Sequence, residues 1–151
     1  MHALVQLLKQ KHLTIASIES LTAGLFASSL AEVPGASNVL KGALVTYQTR
    51  CKEEVLHVDK DIILTYGVIS KEVAEAMVLQ GKKMFHSDIV VSFTGNAGPD
   101  VMDEKEVGLV HMSVLYQEEL SSFAVQFKGS RNEIRKQAVS YLSKEIMKIL
   151  K

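Results

Sequence analysis

Ser37 and Lys52 are the residues whose types and spacing could do chemistry. Ser37 sits in Pro34-Gly35-Ala36-Ser37-Asn38, a cluster that reads as a tight turn with exposed backbone amides, and the apolar run Ala43 to Val45 after it predicts a strand. Tyr47, Arg50, Cys51 and Lys52 lie beyond that strand. If the chain folds back, the serine of the loop meets the lysine past the strand. A lysine whose pKa is lowered by burial or by neighbouring cations takes a serine proton, so such a pair performs acyl transfer with neither histidine nor metal.

Each of these residues also has an ordinary role. Ser37 alone satisfies a nearby amide in its turn, and Ser20, just ahead of a helix, reads equally as a cap. Lys52 beside Glu53 and Glu54 reads as a solvated charge unless it is buried. Tyr47 fits the edge of a core, ring inside and hydroxyl wet. Cys51 reads as a bystander, a small hydrophobe between two cations. Arg131, in the first turn of the last helix, opposes the helix dipole, which a bound anion would explain as well as plain exposure does.

Composition narrows the classes. Lys plus Arg and Asp plus Glu number 17 each in 151 residues, and 47% of the chain is hydrophobic, which suits one domain spanning 1–151 and gives no basic face for nucleic acid. One cysteine forms no internal disulfide, and no apolar run reaches the roughly 18 residues of a membrane span. Five scattered histidines make no metal-ligand spacing, so no metal and no cofactor are expected. The amino terminus lacks the pattern of a signal peptide, and the expected location is cytoplasmic, free of membrane. A homodimer, the commonest assembly, is the expected oligomer.

The elements that must carry these residues alternate. Periodicity predicts a helix over 2–11, a strand over 14–18, a tight turn over 19–24 and a helix over 25–32. The turn at 19–24 would offer amides and a helix dipole to a phosphate or an oxyanion. Short helices are expected over 49–56 and 60–66, then a helix capped by Ser70 with Val73, Ala74, Met77, Val78 and Met84 on one side. Residues 88–94 are the clearest strand, ending in the glycine-rich 95–100 loop; 102–106 reads as an exposed loop. Strands over 107–116 and 120–127 form a hairpin, and Ser130 to Glu133 has the form of a capping box opening a long last helix. This order predicts a three-layer α/β/α fold with a mixed sheet of about five strands and helices on both faces. The strand-end loops at 19–24, 46–52 and 94–99 are expected to gather where α/β sheets bind ligands.

Taken together, Glu19-Ser20-Leu21-Thr22-Ala23-Gly24, Val33-Pro34-Gly35-Ala36-Ser37, Val45-Thr46-Tyr47 through Lys52, Gly67-Val68-Ile69-Ser70, Thr94-Gly95-Asn96-Ala97-Gly98-Pro99 and Gly129-Ser130-Arg131 resemble, in order and approximate spacing, the CinA carboxy-terminal domain. This is the competence/damage-inducible family, whose stand-alone members act as nicotinamide-nucleotide amidases. The resemblance implies hydrolysis of nicotinamide mononucleotide to nicotinate mononucleotide and ammonia through a Ser-Lys dyad. It implies Ser37 as nucleophile and Lys52 as base with Tyr47 close by, Ser20 and Thr94 as substrate or hydroxyl contacts, and Arg131 as an anion contact. Thr22, Gly24, Gly95 and Asn96 belong to the turns that would shape the pocket around the small-molecule nucleotide. The chain departs from the family at Leu21 and Ala23, where Cys and Gly are common, at Asn96, and at Val101-Met102-Asp103-Glu104, where a glycine-rich segment is usual. That last departure leaves a non-catalytic nucleotide-binding or regulatory module as the alternative reading.

Overall fold

A computed structural model describes residues 1–151. Its centre is β3 (Ile89–Gly95), whose near-continuous apolar run suits burial on both faces. Ile89, Val91 and Phe93 face one core, while Val90 faces the other. On the second face Ser92 and Thr94 are satisfied by donating to the carbonyls of Ala74 (2.7 Å) and Val68 (2.9 Å). β1 (Ile15–Glu19) and β2 (Leu40–Val45) run parallel to β3, and β4 (Leu109–Tyr116) and β5 (Glu119–Gln126) close the sheet as an antiparallel hairpin. The strand order is β2-β1-β3-β4-β5.

Helices cover both faces, giving the three-layer mixed sheet expected from the sequence. On one side α1 (His2–Gln10), α2 (Leu25–Ala31) and α6 (Arg131–Ile149) supply the larger core, around Leu4, Leu8, Phe26, Leu30, Ile134 and Leu142. On the other, α4 (Lys60–Tyr66) and α5 (Lys71–Phe85) pack around Ile63, Val73, Met77 and Val78. The short α3 (Thr49–Glu54) sits between β2 and α4 in the chain. The Ser70 hydroxyl caps α5 by accepting from the Val73 amide (3.2 Å), and Ser130 and Glu133 form a complete capping box at α6.

The differences from the sequence reading are local. β2 starts three residues earlier than the apolar run, because Leu40 already pairs with Ile15. α3 stops at Glu54, short of Leu56, whose side chain is buried in the second core. Met84 is exposed, and Phe85 continues the buried stripe of α5 in its place, one step further round the helix. No helix is long and apolar enough to cross a membrane.

Candidate active site

Parallel β1 and β2 end side by side, so whatever follows each strand meets at the carboxyl edge of the sheet. Ser20 follows β1, and Lys52 projects from α3, which follows β2. The Lys52 amine lies 3.0 Å from the Ser20 hydroxyl and 2.6 Å from the Thr46 carbonyl, and Lys52 is only 1% exposed. Burial lowers the Lys52 pKa to about 8, against a smaller opposing influence from Cys51. A neutral amine here donates one hydrogen to Thr46 and keeps its lone pair for the Ser20 proton. This is the geometry of a general base beside a nucleophile.

The loop that carries Ser20 is held from below by Glu19. Its side chain is fully buried, and its two carboxylate oxygens accept from the Ser17 hydroxyl (2.9 Å) and from the amides of Gly24 (2.9 Å), Phe26 (3.1 Å) and Ala27 (3.0 Å). An anion at the first turn of a helix answers both its dipole and its unpaired donors. The chain reverses through Ala23 and Gly24, with φ of 49° and 91°, the left-handed region that glycine tolerates and alanine resists. From above, Arg135 of α6 donates to the carbonyls of Leu21 (3.0 Å) and Thr22 (2.8 Å). The amides of Leu21 and Thr22 donate to no group of the protein.

In front of Ser20 opens a cleft of about 190 Å³ whose walls include Leu21, Tyr47, Asn96, Gly98, Met102 and Arg131. Arg131 spans its mouth, donating to the Gly98 carbonyl (2.6 Å) and to the Tyr47 hydroxyl. The Asn96 side chain turns away to bind the neighbouring loop: its amide donates to the carbonyls of Met102 (3.2 Å) and Lys105 (2.9 Å), and its oxygen accepts from the Met102 amide (3.0 Å). Asp103, at φ 54°, accepts from the Ile69 amide (2.9 Å). The two departures at Asn96 and at 101–104 therefore form one hydrogen-bonded unit, in which side-chain bonds hold a turn that glycines would otherwise ease. No group of three or more His, Cys, Asp or Glu side chains is arranged to hold a metal ion.

The geometry corrects the sequence reading at its centre. Ser37 lies in a 3-10 turn, Ala36–Asn38, ahead of β2, so the whole strand, about 20 Å of chain, separates it from Lys52. It is exposed in a shallow depression with Pro34, Gly35 and Leu40. The amides of Ala36, Asn38 and Val39 are spent on carbonyls of their own turn. The 19–24 turn does not offer the amides at the start of α2, because the Glu19 carboxylate already takes them.

The remaining expected residues divide. Ser20, Tyr47, Gly95, Asn96 and Arg131 line the cleft. Thr94 does not; its hydroxyl is tied to Val68. Gly24 serves as the left-handed start of α2, and Thr22 is fully buried with its hydroxyl unpaired. Sequence reasoning missed Glu19 and Arg135 as supports of the loop. The spacing of Arg131 and Arg135, i and i+4 on one helix face, was the available signal for the second.

Fold and site thus define a three-layer α/β domain with a buried serine-lysine pair at the carboxyl edge of its parallel strands. The model of the family described as the CinA C-terminal domain matches residues 1–150, and the chain belongs to that family. A competence-damage inducible protein of Bacillus mycoides is 40% identical over 138 residues, covering 91% of this chain and 34% of that protein. One from Geobacillus is 40% identical over 147 residues, covering 97% and 35%. The chain thus spans about a third of the length of the curated relatives it matches. Among solved structures, the competence/damage inducible protein CihA of Agrobacterium tumefaciens superposes with a TM-score of 0.94 at 27% identity, covering 99% of this chain and 92% of that one. The competence or damage-inducible protein of Enterobacter asburiae superposes with a TM-score of 0.95 at 21% identity, covering 98% and 94%, a likeness of fold.

Proposed function

We propose that the protein is an amidohydrolase that deamidates nicotinamide mononucleotide, with Ser20 as nucleophile and Lys52 as base. The observation that carries this reading is the 3.0 Å contact between a buried amine of lowered pKa and a serine hydroxyl at the floor of a cleft. Neutral Lys52 takes the Ser20 proton as the oxygen attacks the amide carbon. The unpaired amide of Leu21, on the cleft wall beside Ser20, receives the oxyanion; a donor of this kind is worth about 2.7–4 kcal/mol in the transition state. On collapse the carbon–nitrogen bond breaks, and ammonia leaves with the proton returned from Lys52. Water then attacks the ester, giving its proton to Lys52, and the carboxylic acid departs as Ser20 recovers its hydrogen.

The substrate follows from the family resemblance, supported by a cationic Arg131 at the mouth for a phosphate and by Tyr47 on the wall for a planar ring. Two of the five N–H donors of Arg131 are committed to Gly98 and Tyr47, which leaves three for an anion. The test is ammonia release from nicotinamide mononucleotide by the purified chain. Turnover that disappears in Ser20→Ala supports the reading; tight binding of the nucleotide by wild type with no ammonia formed makes the protein a binding module instead.

A further inference from the structure

We propose that Met102, held in place by Asn96, is a specificity-determining residue that gives the cleft a contact surface for a flat heteroaromatic ring, a role that rests on the amidohydrolase reading above and names what the site recognises beside the amide. Leu21, Tyr47 and Met102 are the large apolar side chains on the cleft walls. Leu21 is only 4% exposed and is spent on the core beneath, whereas Tyr47 and Met102 are 51% and 49% exposed. The free apolar surface of the cleft therefore comes mainly from these two. What Met102 offers a ligand is its side chain, because its N–H donates to the Asn96 Oδ1 (3.0 Å) and its carbonyl accepts from the Asn96 Nδ2 (3.2 Å). A thioether is polarisable and makes favourable contacts with aromatic rings.

Asn96 is the positioning residue behind it. Its other Nδ2 hydrogen goes to the Lys105 carbonyl (2.9 Å), its main-chain N–H donates to the Leu109 carbonyl (3.0 Å), and its own carbonyl accepts from the Gly108 amide (2.7 Å). Both side-chain hydrogens are thus committed to the loop, and none is left for a substrate. By taking both polar groups of one residue, the Asn96 side chain fixes Met102 as a paired strand would. A second anchor lies one residue further on, where the Asp103 carboxylate accepts from the Ile69 amide (2.9 Å). Asp103 and Glu104 are kept at φ of 54° and 53°, a left-handed conformation that persists where surrounding bonds over-determine it. The backbone that carries the thioether is therefore set before a ligand arrives. At about 190 Å³ the cleft is smaller than the roughly 300–1,000 Å³ of sites that enclose a drug-sized ligand, so it takes the amide-bearing end of a nucleotide and not the whole. Selection at Met102 accordingly falls on the ring.

The experiment titrates wild type, Met102→Ala, Asn96→Ala and the double variant calorimetrically with nicotinate mononucleotide and with ribose 5-phosphate, the same phosphate-bearing sugar without the ring, and assays ammonia release from nicotinamide mononucleotide in parallel. In Met102→Ala the affinity for nicotinate mononucleotide is expected to fall by about 3- to 10-fold and the KM for nicotinamide mononucleotide to rise by a similar factor, while ribose 5-phosphate binds within about twofold of wild type. Asn96→Ala weakens the ring-bearing ligand in the same selective way, and the double variant is no worse than Met102→Ala alone, a non-additivity that a merely structural Asn96 would not give. Unchanged affinity for nicotinate mononucleotide in Met102→Ala overturns the proposal, as does equal weakening of both ligands; additive losses in the double variant overturn the part given to Asn96. Should Asn96→Ala not fold, Met102→Ala, which trims a half-exposed side chain, decides alone. Ammonia release with no dependence on Met102 sinks this inference and leaves the amidohydrolase reading standing, whereas Met102-dependent binding in a wild type that releases no ammonia keeps the ring contact and removes the hydrolysis.

Discussion

Two turns of the molecule look alike in composition and differ in everything that makes a catalyst. The Ser20 turn and the Ser37 turn each hold a serine among small residues, and each reverses through a left-handed glycine, Gly24 at 91° and Gly35 at 88°. The first lies past the end of a parallel strand, where the neighbouring strand delivers Lys52; the second lies before a strand, on the opposite edge of the sheet. Glu19 and Arg135 hold the first turn, whereas the second spends its amides on its own carbonyls. What the sheet brings beside a serine decides whether it is placed to act as a nucleophile; its own turn is a poor guide.

The largest expected difference separates the two serines. Ser20→Ala lowers ammonia release from nicotinamide mononucleotide by about 10⁴-fold or more, while Ser37→Ala leaves kcat within about twofold and stability within about 0.5 kcal/mol. Equal losses from both substitutions break the comparison. Lys52→Met comes next, reducing kcat by about 10²–10⁴-fold.

The same Lys52 substitution raises stability. A pKa of about 8 in the folded chain against an ordinary 10.5 means that the protonated amine costs the fold about 3 kcal/mol at pH 7. With the folded pKa the lower of the two, the unfolded chain binds more protons between pH 8 and 10.5, so wild-type stability rises with pH across that window. The advantage of Lys52→Met in urea midpoint is therefore largest at pH 7 and shrinks towards pH 10.5. In activity, kcat/KM of wild type rises through about pH 8 as the base loses its proton. A flat profile from pH 6 to 9 would sink Lys52 as the base.

Smaller effects probe the supports. Glu19→Gln turns an NH2 towards backbone donors and leaves buried amides unpaired, which is expected to cost about 1–3 kcal/mol in denaturant midpoint, with activity falling as the loop loosens. No such buried carboxylate supports the Ser37 turn. Ala23→Gly relieves a left-handed alanine and is expected to stabilise by about 0.5 kcal/mol, whereas Gly35→Ala destabilises by forcing a Cβ into the left-handed φ of 88°. Thermal melts of both distinguish a strained active turn from a relaxed structural one.

Much of the architecture was legible because period and punctuation agree along the chain: the apolar run of β3, the Ser70 cap and the Ser130–Glu133 box each mark an element through local chemistry. The gathering of loops 19–24, 46–52 and 94–99 was legible too, from the rule that α/β sheets bind ligands beyond the carboxyl ends of their strands. Applied to the serines, that rule selects Ser20, which follows a strand, over Ser37, which precedes one. Ser37 and Lys52 are near in sequence, but β2 lies whole between them and sets them beyond its opposite ends. The parts that stayed hidden depend on contacts with no local period. Glu19 reads as an ordinary strand end until its four donors are seen, and Asn96 reads as a turn residue until the 102–105 segment is found folded against it.

Because the Glu19 carboxylate already occupies the positive end of α2, that helix end is closed to any other anion, while the Arg131 guanidinium stands at the mouth of the cleft. If the proposed reading holds, a phosphate is expected to stop at Arg131 and the carboxamide to be the end of the nucleotide that reaches Ser20.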